Sequence, residues 1–385
     1  MRKILAALYI IIIICMAAAT VIEKYEGTDF VQANVYGSWW FILLWAALAV
    51  LSVAFMIKRR VKNALLILLH LSFVIILLGA FITHVTSWQG MVHLSMNTTS
   101  ETFFMKNAEG KVVEKTLPFK LTLVNCRTIY YPDTDIPKDW ETEFMVNYET
   151  NGKVSMNNIY EYDGVRFYQS DIDEGDRGSV LALNYDPYGI PVTYCGYIML
   201  FASLLIMLYA NRGTALRFNV VAGLLTAMLC LYFDISHALQ TDSDGYIIPV
   251  LNSPLFCVHV GIIMMAYSLL LLACVSSVAA LVSGRQGFAR FSRLCLAPSI
   301  AALCFGIFIG AIWANVSWGT YWSWDAKEVW ALITLMVYAP ALHVVSVRKM
   351  GNEKFFNLYV ALSFLTILMT YFGCNYFLIG MHSYV

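Results

Sequence analysis

The sequence predicts an α-helical polytopic membrane protein of about nine transmembrane helices with an inserted extracytoplasmic β-rich domain. Three observations predict it: an apolar composition, a series of apolar windows of spanning length, and one long polar interruption. Of 385 residues, 59% are apolar and 13% charged, with a mean hydropathy of +0.66, a balance that a water-soluble globule of this length does not carry. Windows of about 20 apolar residues, enough to cross roughly 30 Å of hydrocarbon, fall near 4–22, 36–57, 63–83, 192–210, 218–235, 254–283, 295–314, 326–347 and 355–377.

Net charge is zero, which suggests no nucleic-acid partner, but its distribution sets an orientation. The connections carrying Arg2/Lys3, Lys58/Arg59/Arg60/Lys62, Arg212/Arg217, Arg285/Arg290/Arg293 and Arg348/Lys349/Lys354 hold 14 of the 25 basic residues, and alternate spans return to them. Short loops rich in Lys and Arg stay cytoplasmic. The opposite loops, 23–35, 236–253 and 315–325, contain only Lys24. The expectation is therefore a multi-pass protein of the cell (inner) membrane, with lipid as its solvent, the N-terminus inside and the C-terminus outside. The first span also fits a signal peptide, with Arg2-Lys3, a short apolar core and Ala17-Ala18-Ala19, so cleavage stays open. Nine scattered cysteines without a close CxxC pair point to no zinc site, disulfide framework or thiol redox motif.

Residues 85–190 break the membrane pattern with short alternating runs such as Lys120–Cys126, Glu143–Tyr148 and Val180–Tyr185. Turn chemistry at Tyr131-Pro132-Asp133, Asn151-Gly152, Asp163-Gly164 and Asp186-Pro187-Tyr188-Gly189 punctuates a β-rich domain. The chain thus divides into a three-span part (1–84), the β-rich domain (85–190) and a six-span part (191–385).

A ligating side chain in hydrocarbon is costly and marks function. His70 lies about eight residues past the cytoplasmic start of the third span, roughly 12 Å deep. His343 lies about 17 residues after the outer start of the eighth, which puts it in the same inner half. Two imidazoles at one depth on different helices can ligate one iron from opposite faces of a porphyrin; the alternative is that each only hydrogen-bonds a neighbouring helix. His259, five residues after Pro254 of the Ser253-Pro254 helix start and so within two turns of the outer surface, and His382, beyond the last span, share the outer depth. His84, His93 and His237 read as ordinary interfacial or surface residues.

Five of ten tryptophans fall between Trp313 and Trp330 in one outer loop: Trp313, Trp318, Trp322, Trp324 and Trp330, with Gly319 and Tyr321 among them. An aromatic belt spreads over both interfaces, whereas this cluster suits a flat, apolar, π-rich ligand such as haem. Asp325 and Glu328 stand in the first turn of the eighth span, where acids suit the helix dipole; either could instead orient a ligand histidine.

Residues 318–333, Trp-Gly-Thr-Tyr-Trp-Ser-Trp-Asp-Ala-Lys-Glu-Val-Trp-Ala-Leu-Ile, resemble the tryptophan-rich WWD segment of haem-handling proteins, which together with Trp313 occupies 313–333 here. With Asn252-Ser253-Pro254, His259, Leu342-His343 and Gly380-Met381-His382-Ser383-Tyr384, the chain from about 215 resembles CcsA, the membrane half of the System II cytochrome c synthase. Leu69-His70-Leu71-Ser72, Leu117-Pro118-Phe119, Tyr130-Tyr131-Pro132 and Tyr162–Ser170 resemble ResB (CcsB). Their order resembles a natural CcsBA fusion.

The resemblance implies a holocytochrome c synthase, a haem lyase that carries haem b to the outer face and attaches it by thioether bonds to the CxxCH motif of apocytochrome c. It implies His70 and His343 as transmembrane iron ligands, and His259 and His382 as outer ligands and catalytic residues, with Asp325 beside them. Trp313, Trp318, Gly319, Tyr321, Trp322, Trp324, Asp325, Glu328 and Trp330 would line the haem surface. Haem and apocytochrome c are the expected partners, with a thiol reductase as a further candidate. The β-rich domain is shorter than in the larger fused members. Two other classes stay open: a haem exporter without attachment activity, and a bis-histidine electron-transfer subunit.

Overall fold

The computed structural model describes residues 1–96, 98–106, 110–210, 249–344 and 346–378. Helices fill eight of the nine expected windows. They are α1 (Arg2–Glu26), α2 (Trp39–Lys58), α3 (Ala64–Thr86), α4 (Gly189–Ala210), α5 (Pro254–Ser283), α6 (Gln286–Ser317), α7 (Ala326–Leu342) and α8 (Glu353–Leu368). α8 continues through a π-helical turn, Met369–Gly373, to Tyr376. Among the described residues seven helices are long and apolar enough to cross a membrane; the window 218–235 lies outside those residues, as does His237.

Local chemistry sets the helix ends. The Asn63 side chain accepts from Leu66 N at the start of α3, Pro254 opens α5 after Ser253, and Gly284 closes it in the left-handed conformation, as caps at these positions do. The eighth span ends earlier than its window. α7 stops at Leu342, one turn short of residue 347, because Pro340 sits in its last turn and a proline ring cannot sustain the helical ladder.

Helices α3 and α4 pack as a close antiparallel pair. A Cβ on Gly79 would meet Thr193, and one on Gly196 would meet Ile76, so small residues let the two backbones approach. α5 and α6 pair similarly, with Gly306 against Ile263 and a buried Ser277–Ser292 hydrogen bond of 2.7 Å. α1 is built into the bundle: Ile12, Met16 and Ala19 share a core with Phe41 of α2 and with Val329, Ile333 and Met336 of α7.

The segment between α3 and α4 is one eight-stranded antiparallel sheet: β1 (Trp88–Ser95), β2 (Thr99–Lys106), β3 (Val112–Tyr130), β4 (Pro137–Val146), β5 (Thr150–Ser155), β6 (Tyr160–Tyr162), β7 (Val165–Ile172) and β8 (Gly178–Tyr185), in the order β5-β4-β3-β2-β1-β8-β7-β6. Leu117, Phe119, Leu121 and Leu123 alternate inward along β3, the period-two pattern of a sheet with one buried face. The sheet rolls until its two halves meet, with the rings of Phe144 on β4 and Phe167 on β7 5.1 Å apart. A buried network of Thr142 on β4, Gln169 on β7 and Ser179 on β8 joins the same two halves.

One expected turn is displaced. Asn151-Gly152 lies inside β5, paired with Met145 and Phe144; the hairpin bends at Asn147-Tyr148, both at positive φ (52° and 61°), as in a type I′ turn. Gly152 serves packing instead, since a Cβ there would strike the Phe144 ring at 2.7 Å. Asp163-Gly164 does turn, between β6 and β7.

On the domain surface Glu141 is held by Arg127 at 2.6 Å and Lys153 at 2.8 Å. Burial alone would push its carboxyl up; hydrogen bonds and charge from Lys153 and Arg127 outweigh burial and hold it below the ordinary carboxylate value. A depressed folded-state value stabilises above the unfolded one and is lost as pH falls through it. Glu141→Gln should therefore cost about 1 kcal/mol near neutrality, read as faster hydrogen exchange of β3–β5 amides. The difference from the parent should vanish as the pH falls below about 4.

Candidate functional site

α3 and α7 come from opposite ends of the sequence and bring His70 and His343 together. Their ring centroids lie 5.8 Å apart at 88°. Each Nδ1 lies 2.8 Å from a carbonyl one turn back in its own helix, Leu66 O for His70 and Ala339 O for His343. A carbonyl only accepts, so both Nδ1 atoms carry the proton and the lone pairs reside on Nε2, the tautomer of a histidine that ligates through Nε2. His343 stands just past the last residue of α7, where the early end at Pro340 leaves its ring exposed. A half-open apolar pocket of about 280 Å³ lies between α2 and α3, lined by Met56, Arg60, Ile67 and Leu71 among others; neither His70 nor His343 is in its lining.

His259 sits in the second turn of α5. Its Nδ1 donates to Gly306 O of α6 at 2.8 Å, which again puts the lone pair on Nε2. The ring lies against Gly310, where a Cβ would come within 2.5 Å of it, and faces Trp313 at 6.4 Å and 18°. Trp313 is fully buried and meets Trp318 edge-on at 4.8 Å. His382, the expected partner of His259, lies outside the described residues. His84 packs edge-on to Trp39, and His93 pairs with Asp173 on the sheet surface.

The tryptophan segment is held from two sides. From the β-domain, Asn184 Nδ2 donates to Gly319 O and the Tyr168 ring covers Gly319, whose φ of +88° suits only glycine. Asn157 bonds Ser317 at 2.6 Å. Tyr321 donates to Thr83 Oγ1 at 2.8 Å, which donates to Asp186 at 2.6 Å; burial pushes the Tyr321 hydroxyl up, against its hydrogen bonds with Thr193 and Thr83, and keeps it a donor. From the N-terminal helices, Gln32 Nε2 donates to Ser323 O, Tyr36 stacks on Trp324 at 4.6 Å, and Trp330 Nε1 donates to Thr20. Trp322 meets Trp324 edge-on at 5.9 Å.

The two acids have visible local tasks. Asp325 caps α7, accepting from Lys327 N at 2.9 Å, and Glu328 Oε2 accepts from Ser323 N and Oγ. The neighbours that sequence reading missed are Gln32, Tyr36, Phe41, Asn157, Tyr168 and Asn184. Tyr168 was within reach, because it stands in the Tyr162–Ser170 motif; no spacing signals the others.

Residues 192–382 match the family model for cytochrome C assembly protein, and residues 57–186 match the ResB-like family. A CcsA cytochrome c biogenesis protein of Prochlorococcus marinus (strain MIT 9303) is 30% identical over 228 residues, covering 48% of this chain and 71% of that protein. The chain belongs to the cytochrome c assembly protein family. It joins ResB-like and CcsA-like parts in one polypeptide, a System II ResB–CcsA fusion, and is a multi-pass membrane protein of cytochrome c maturation. Protein NrfI of Wolinella succinogenes is 43% identical over 95 residues, 25% of this chain and 10% of that one. The CcsA protein of Guillardia theta is 48% identical over 82 residues, 21% and 27% respectively. The chain thus spans well under two thirds of the length of these last two relatives. Residues 1–56 precede both family matches.

Because Gly319 combines a left-handed backbone with a ring packed on its Cα, Gly319→Ala should loosen the β-domain's hold on the loop by about 1–2 kcal/mol. Hydrogen exchange across Trp318–Trp322 should accelerate about tenfold, with exchange in α3 and α4 unchanged.

Proposed function

We propose that this fusion carries haem to the outer face of the cell membrane and attaches it to the CxxCH motif of apocytochrome c. The observation that carries the reading is the meeting of His70 and His343, both set as Nε2 ligands, across two helices that belong to different family halves. Imidazoles on opposite faces of a haem iron need Nε2 atoms about 4 Å apart, which places their ring centres about 6 Å apart; the centres of these two rings are 5.8 Å apart. His259 supports the second level, with its tautomer fixed by Gly306 and its plane held between Gly310 and Trp313.

In this reading the basic loops face the cytoplasm and the β-domain and tryptophan segment face outward. Haem is substrate at both levels. His70 and His343 hold it in the inner half; His259 and His382 hold it beside the tryptophan segment, where the CxxCH histidine replaces one of them. Each substrate thiol then adds across a vinyl group: a carbon–sulfur bond forms, the thiol hydrogen ends on the terminal vinyl carbon, and nothing leaves. The chain contributes positioning, which turns a rare encounter of thiol and vinyl into a near-unimolecular step. The buried packing around Trp313 and Trp318 excludes water from that side of His259.

The test is co-expression with an apocytochrome, scoring haem that survives denaturing electrophoresis. His259→Ala and His382→Ala should each lower covalent haem at least tenfold, with recovery on adding imidazole; wild-type yield from either removes the outer assignment. His70→Ala and His343→Ala should instead lower the haem content and Soret absorbance of the purified protein. Export of haem without covalent product would retire the synthase reading. Gly310→Ala, which keeps His259 but crowds its ring, should lower attachment without altering haem at the inner pair.

A further inference from the structure

Trp324 has a backbone φ of +61°, a left-handed conformation that a bulky side chain adopts only when its surroundings impose it. The residues that impose it come from the segment joining α1 to α2 and from the first turn of α2, outside both family matches. A short helical stretch there ends in a π-helical turn, Gln32–Tyr36, which presents Gln32 and Tyr36, one turn apart, toward the same strip of the tryptophan segment. Gln32 Nε2 donates to Ser323 O at 2.5 Å. Tyr36, 4% exposed, lies flat on the Trp324 ring at 4.6 Å and 7°, and Phe41, 1% exposed, abuts the same ring edge-on at 5.4 Å. Glu328 holds Ser323 N from the other side. The peptide that turns the chain from Trp322 into α7 is thus gripped on both sides.

We infer that Tyr36 is a positioning residue: with Gln32 and Phe41 it clamps Trp324 in its left-handed conformation, fixing the ring's angle to Trp322 and the entry of Asp325 into α7. The functional half of this inference rests on the haem reading of the tryptophan segment; the clamp itself does not. Released from the stack, Trp324 returns to an ordinary φ, its ring swings away from Trp322, and the aromatic surface loses its shape. The flat face of Tyr36 carries the effect. Its hydroxyl has no hydrogen-bond partner among the described residues, so the oxygen is dispensable, whereas the ring is not.

Three full-length variants test this: Tyr36→Ala, Tyr36→Phe, and Tyr36→Leu, which fills space without a flat face and replaces the alanine variant should that fail to accumulate. Two readouts are taken, hydrogen exchange across Ser323–Glu328 in the purified protein and covalent haem on a co-expressed apocytochrome. Tyr36→Ala and Tyr36→Leu should raise exchange in that peptide about tenfold and lower attachment at least as much, with haem content at the inner pair unchanged. Tyr36→Phe should match the parent in both. Wild-type exchange in the alanine and leucine variants overturns the clamp, as does a phenylalanine variant that is equally damaged or a loss of inner-site haem in parallel with attachment. Raised exchange with undiminished attachment overturns the functional half alone and turns the doubt onto the haem surface.

Discussion

The placement of one imidazole pair constrains the arrangement of the membrane part. His70 and His343 are 273 positions apart in the sequence, and they meet only because α3 is fixed to α4 by glycine contacts and α7 is fixed to α1 and α8 by its buried faces. Pro340 lies in the last turn of α7, which ends one residue before His343, and the His343 ring bonds back to Ala339 O. A polar pair in hydrocarbon gains little from water and must satisfy its donors internally. Both rings do so with carbonyls of their own helix, which leaves the acceptor lone pair of each on Nε2.

The tryptophan segment obeys a related economy. Its polar backbone atoms find partners from both ends of the chain: Gly319 O from the β-domain, Ser323 O from the N-terminal helices, Ser323 N from its own Glu328. Such cross-bracing fixes a loop that short-range propensity would leave loose, and it makes the β-domain and the two leading helices parts of the same site. The fusion of ResB-like and CcsA-like parts is therefore physical as well as covalent. Asn184, Tyr168 and Thr83 from one part touch Gly319 and Tyr321 of the other.

Much of the membrane architecture was legible because it follows from one-dimensional signals. Apolar windows, Ser253-Pro254 and the alternation of β3 are local patterns with local causes. Depth counting placed His70 and His343 at one level for the same reason, since rise per residue converts sequence into distance. What stayed hidden depends on lateral packing. No pattern says that Tyr36 lies on Trp324 or that Asn157 reaches Ser317, because helix rotation and domain docking are set by the sum of many side-chain fits. Asn151-Gly152 misled in an instructive way: the dipeptide favours a turn, but the ring of Phe144 needed a residue without Cβ opposite it, and Asn147-Tyr148 accepted the positive φ values instead.

The division of labour among the tryptophans follows from burial. Trp313 is closed off and touches His259, Phe256 and Trp318, so its effect on any ligand passes through the orientation of that histidine. Trp318, Trp322, Trp324 and Trp330 are half-buried, each with one face or edge committed to the protein. A flat ligand can use only what those commitments leave over. Rigid braces on the committed faces thus decide the shape of the remaining surface before a ligand arrives, and a pre-shaped surface loses less freedom on binding than one assembled around its guest.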